Sequence, residues 1–175
     1  MDWNAELRDQ LDFYWQRNLR SRLEGLTDEE YFWEPVPGCW SIRPAGDGSF
    51  TADWEWPEPD PAPVTTIAWR IAHIAGGCLG FRASAHFGDG SLNLETMPWP
   101  GSVAAALDLL DANYDAWCKG VESLGEEGLF RPVGPAEGPY AESPYSTLVL
   151  HINREVMHHG GEIGVLRDLY RHKFG

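Results

Sequence analysis

The run LHINREVMHHGGEIGVLRDLY, residues 150–170, constrains the fold of this chain more than any other stretch. At about 100° per residue, Leu148, Ile152, Val156, Ile163, Leu166 and Tyr170 share one helical face, an arc of roughly 80°. A stripe of this width has to be buried against another element. Yet Glu155 and His159 project within about 20° of the stripe's leading edge. His151 and His158 lie at its margin, with Glu162 between margin and stripe. A carboxylate on a buried face is costly unless it is paired or bound to a metal. The fold must therefore bury this helix and also give Glu155 a partner.

Three further stretches carry the same periodicity. In residues 3–24, Leu7, Leu11, Tyr14, Trp15, Leu19 and Leu23 recur at spacings of three and four. In 64–87 the stripe is Ile67, Ile71, Ile74, Cys78 and Phe81; in 102–123 it is Val103, Leu107, Leu110, Tyr114, Trp117 and Val121. The last helix is expected from near Ser146 to about Tyr170. Thr27 with Glu30 three residues on reads as a capping box, so a short helix is expected there. The connections between the first and second helices and between the third and fourth are long. The economical architecture is an all-α four-helix bundle with long crossovers, one domain over 1–175.

Residues 34–63 form an insertion in this pattern. Their Pro and Gly exclude a long helix, and Trp40, Phe50, Trp54 and Trp56 favour a loop packed on the body. Short strands are expected around 40–43 and 49–56. Gly76, Gly77 and Gly80 are poor helix formers inside the second helix. They are expected to admit close helix approach or a ligand.

A net charge of −14 argues against nucleic acid and anionic membrane partners, both of which call for basic patches. No run approaches the ~20 apolar residues of a membrane span, and the acidic amphipathic N-terminus is no signal peptide. A soluble, cytoplasmic protein with a small-molecule substrate is expected. Cys39, Cys78 and Cys118 are far apart, without a CxxC, so no disulfide framework or structural zinc cluster is expected; Cys78 and Cys118, within helical stretches, are expected as buried thiols.

Glu155 and His159, an i, i+4 pair, project together and can take two corners of a metal site. His73, in WRIAHIAGG on another helix, is the candidate third ligand. The plain alternative is a hydrogen-bonded Glu–His pair with a boundary histidine opposite. Glu162 is expected to pair with Arg70 or Arg154. His86 and His172 are expected at a helix end or on the surface.

HINREVMHHGGEIGVLRDLY resembles the last-helix signature of the DinB-like (YfiT-type) metalloprotein superfamily. RLEGLTDEEYFWEPVPGCWSIRP and TTIAWRIAHIAGGCLGFRASAHFG are similar to its segment after helix one and its second helix. The resemblance implies a four-helix bundle, a homodimer in many members, and a divalent metal such as zinc or nickel. It implies three His ligands, one from the second helix and two from an H-x-x-x-H in the last. Carried over, these fall on His73, position 155 and His159. Position 155 here is Glu155, a departure with two readings: a 2-His-1-carboxylate site, or a chain that has lost its metal. His158 and His151 are the alternates.

Some members are thiol S-transferases that use bacillithiol or mycothiol, and a related one is a mycothiol-dependent maleylpyruvate isomerase. The implied function is a metal-dependent transferase or isomerase activating a low-molecular-weight thiol. Arg70 or Arg154 would meet a carboxylate of that thiol. The alternative is a non-catalytic bundle for small-ligand binding or stress response.

Overall fold

A computed structural model of the chain describes residues 1–57 and 59–175. Residue 58, within the 34–63 insertion, lies outside the described residues.

Each amphipathic stretch forms a helical rod. Asp2 caps α1 (Trp3–Tyr14) by accepting from the amides of Asn4 and Ala5. The rod continues through a π-helical turn at Trp15–Leu19 and a 3₁₀ turn at Ser21–Leu23. Thr27 then caps α2 (Asp28–Tyr31), its hydroxyl accepting from the Glu30 amide at 3.3 Å. The second rod is α3 (Ile67–Ala72), a π-helical segment at His73–Gly80, and α4 (Phe81–Phe87). The third is α5 (Val103–Gly128), broken at Gly125, which adopts φ +60°. Only glycine enters that region at little cost, so Gly125 ends the regular helix. The last rod, α6 (Tyr145–Phe174), follows a 3₁₀ stretch at Pro135–Tyr140.

The fold is an all-α four-helix bundle. The first rod packs on α5 and α6, and so does the second. First and second rods therefore face one another across the bundle, as do α5 and α6. A step between diagonal rods cannot be made by a tight turn, which explains the two long connections. The core is one cluster running from Leu11, Trp15 and Leu19 through Ile71, Ile74, Leu110 and Trp117 to Ile152, Val156 and Ile163. Within it Trp15 stacks on Tyr114 at 3.8 Å.

The 34–63 insertion carries a two-stranded antiparallel hairpin, β1 (Ile42–Pro44) and β2 (Phe50–Ala52), shorter than the strands expected from sequence. It docks onto the start of the second rod. Trp40 bridges to Thr65, the hydroxyls of Ser41 and Thr66 lie 2.9 Å apart, and the Trp69 indole donates to the Asp53 carbonyl at 2.8 Å. No helix among the described residues is long and apolar enough to cross a membrane.

The glycines of the second rod divide by what they face. A Cβ on Gly80 would lie 2.4 Å from Asn113 Nδ2, and one on Gly76 3.0 Å from Met97. Both therefore serve close approach. Gly77 faces the His73 ring instead. Gly120 on α5 is tighter still, since a Cβ there would lie 2.0 Å from the Phe87 ring. Gly120→Ala should destabilise the protein by about 1–3 kcal/mol. Gly161 on α6 has nothing within 4 Å of its Cβ position, so Gly161→Ala should be neutral or stabilise by up to about 1 kcal/mol. Chemical denaturation of the two variants checks the contrast.

Candidate metal centre

His73 stands where α3 gives way to the π-helical segment. Its ring lies parallel to Trp69, four residues earlier, with centroids 5.2 Å apart and planes 8° from parallel. This stack aims the imidazole at α6, where Glu155 and His159 project from one face. The His73 and His159 rings meet edge-on at 4.7 Å. Glu155 Oε2 is 3.4 Å from His159 Nε2 and 4.0 Å from His73 Nε2. One donor atom from each of the three residues falls within 4.8 Å of the others. Ligand atoms held about 2.0–2.1 Å from a tetrahedral zinc are separated by ~3.4 Å. The arrangement thus fits a shared divalent ion with small side-chain adjustment.

The protonation states agree with that fit. His73 is pushed down to about 4, chiefly by burial, then by the neighbouring His159 and Arg70, against the pull of Glu155. It is therefore neutral at physiological pH, as a ligating imidazole must be. His159 is buried, and its Nδ1 lies 2.6 Å from Glu162 Oε2. Arg70 Nη1 is 3.2 Å from the same Nδ1. A guanidinium can only donate, so the two contacts compete for one atom. The shorter, charge-assisted bond to the carboxylate places the proton on Nδ1. Nε2 is left as the ring nitrogen that faces Glu155 and His73. Arg70 Nε also pairs with Glu162 Oε2 at 2.9 Å, so Arg70 holds the carboxylate that orients His159.

Of the remaining candidates, His151 approaches Glu155 Oε1 at 3.6 Å and Arg154 approaches it at 3.7 Å. Both lie on the carboxylate's far side from the cluster. The exposed His158 faces Glu162 Oε1 at 3.5 Å. His158, His159 and Glu162 form a second close group that shares His159 with the first. Its 2.6 Å contact is too short for two ligands of one tetrahedral ion and reads as a hydrogen bond. Arg70, half of the expected substrate-binding pair, is placed beside His159; Arg154 is placed at the rim. Two protein thiols are turned away from nucleophilic use. Cys78 is pushed up to about 12 and Cys118 to about 11, in each case mainly by burial.

A cavity of about 480 Å³ reaches the cluster at His73, which stands in its wall with Trp69 and Gly77. Thr51, Ala52 and Trp54 from the 34–63 insertion complete one side of it. Sequence reasoning missed three features here. Trp69 sits one turn before His73, and that spacing was the available signal. Arg82 lines the same cavity, its Nη1 donating to the Gly77 carbonyl at 2.6 Å. His86 stands in the last turn of α4, the helix end expected for it, but its side chain is almost wholly covered. It bonds Glu137 at 2.9 Å and Tyr145 at 3.3 Å, and the Glu137 carboxyl is held below its ordinary range, first by His86 and then by Arg82.

A family model of the DinB superfamily matches residues 48–163, two thirds of the chain. The chain belongs to the DinB superfamily. The match covers the whole second rod and α6 as far as Ile163, so His73, Glu155, His159 and Glu162 all fall within it. The DinB superfamily is associated with metal binding, in keeping with the donor group found here. No curated protein and no solved structure matches the chain.

If this DinB protein holds its ion as the geometry indicates, His159→Ala should abolish binding of zinc or nickel while His172→Ala retains it. Equal retention in both would remove His159 from the site. Glu162→Gln should weaken binding by about 10- to 100-fold. Competition against a chromogenic chelator measures all three.

Proposed function

We propose that this DinB-superfamily protein is a metal-dependent thiol S-transferase or isomerase acting on a low-molecular-weight thiol such as mycothiol. The observation that carries the reading is the convergence of His73, Glu155 and His159 within 4.8 Å beside a cavity. Three protein donors leave a position open at a divalent ion such as zinc or nickel. An ion there would lower the pKa of a coordinated thiol and supply a thiolate near neutral pH.

The chain's own residues divide the remaining work. Glu155 contributes the one carboxylate among the three donors, beside the imidazoles of His73 and His159. Glu162, clamped by Arg70, keeps the His159 proton on Nδ1. A second cavity of about 490 Å³ shares Arg82 with the first and has His151, Arg154, Ser143 and Thr147 in its wall. These polar groups suit the hydrophilic body of a thiol cofactor, with Arg154 meeting its carboxylate. The high thiol pKa of Cys78 and Cys118 supports an external thiol as nucleophile.

One observation favours the second reading, a non-catalytic bundle with a structural polar cluster. Glu155 already has His73 and His159 on one oxygen and His151 and Arg154 on the other. The two readings part on turnover. Metal-loaded protein with mycothiol or bacillithiol and a haloarene should show thiol-dependent conversion that Glu155→Ala loses. No rate above background with any thiol, in protein shown to hold metal, would favour the non-catalytic reading.

A further inference from the structure

The cavity beside His73 is built from rings. Trp54, Trp69, Phe81 and Trp99 stand in its wall, and Leu94 adds to it. Trp69 lies within 5° of parallel to Trp54 and within 8° of parallel to His73. Trp54 is held near Trp40, at 5.9 Å between centroids, yet leaves 60% of its surface exposed. An indole fixed in place and largely uncovered is surface that an apolar ligand would bury.

Two charged side chains stand at the wall, Arg82 and Glu95. Arg82 donates through Nη1 to the Gly77 carbonyl, bonds Glu137 through Nε at 3.3 Å, and lies over the Phe81 ring at 5.2 Å. Glu95 is solvent-exposed. Neither presents a buried, unpartnered charge to an ion in the cavity. A charged ligand would lose its hydration with little returned. A flat uncharged one would gain stacking and apolar burial. The volume of about 480 Å³ suits a one- or two-ring molecule.

We propose that this cavity binds a planar, uncharged aromatic ring, with Trp54 and Trp69 as the residues that select it. Because His73 forms part of the same wall, a bound ring lies against the candidate metal centre. That the ring belongs to the electrophile in thiol transfer rests on the function proposed above; that the ring binds does not.

The test uses the full chain, both metal-loaded and chelator-stripped, and isothermal titration with three probes. These are 1-naphthalenemethanol, its saturated decalin analogue and 1-naphthoate. The neutral aromatic should bind both forms of the protein, and in the chelator-stripped form about fivefold or more tighter than either comparator. Trp54→Ala should weaken it by a similar factor. Trp56→Ala, an exposed tryptophan outside the cavity wall, should leave it unchanged. Undetectable naphthalenemethanol binding overturns the proposal. So does equal binding of the saturated analogue, tighter binding of the naphthoate to the chelator-stripped protein, or no effect of Trp54→Ala. If ring binding persists in protein that never takes up metal, the metal reading fails and this one stands. If metal is held but no ring binds, the reverse is true.

Discussion

A single carboxylate, Glu155, sets the terms for the interface between α6 and the second rod. A charge on a helix face that packs against another rod must be met by donors or by a cation. Both oxygens of Glu155 are met. Oε2 faces the imidazoles of His73 and His159, and Oε1 faces His151 and Arg154. Around this point the local features become intelligible together. Trp69 stacks on His73 and aims it, the π-helical segment begins at that residue, and Glu162 with Arg70 fixes the tautomer of His159. Segments of π-helix are rare and recur at functional sites.

A second buried charge holds the other part of α6. Arg167 bonds Glu30 through Nε at 2.7 Å and Nη2 at 3.0 Å, and its Nη1 donates to the carbonyls of Arg22 and Glu24. Both side chains are almost wholly removed from solvent. Such a pair adds little net stability over a well-packed apolar one, but removing one partner strands a buried charge at a cost of about 3–5 kcal/mol. Its geometric effect is plain: the segment after the first rod is tied to α6 eight residues beyond His159. The capping box expected at Thr27 and Glu30 is half formed for this reason. Thr27 caps α2, but the Glu30 side chain goes to Arg167.

The helices and the facing of α6 were legible in the sequence because helical periodicity is local. The projection separated His159 from His158 and drew Glu155 into the stripe, and the structure places those side chains accordingly. Where periodicity fails, legibility fails with it. A uniform turn of about 100° takes no account of the π-helical register at His73–Gly80. Nothing in the spacing of the 34–63 insertion says that Trp54 will stand against Trp69. His86 and Glu137 are 51 residues apart in sequence, so their buried pairing depends on the crossover that precedes α6. Arg82 likewise acquires its place in two cavity walls only through tertiary packing.

Glu155, at the position where the resemblance leads one to expect a His, is the residue on which the proposed metal centre turns. Elemental analysis of untagged protein, grown with zinc and nickel in excess, tests it most directly when Glu155→Ala is measured beside the wild type. Wild type should carry about one equivalent of a divalent transition metal and Glu155→Ala almost none. Wild-type protein with less than about a tenth of an equivalent, or Glu155→Ala holding as much as the wild type, would contradict a carboxylate-completed metal centre.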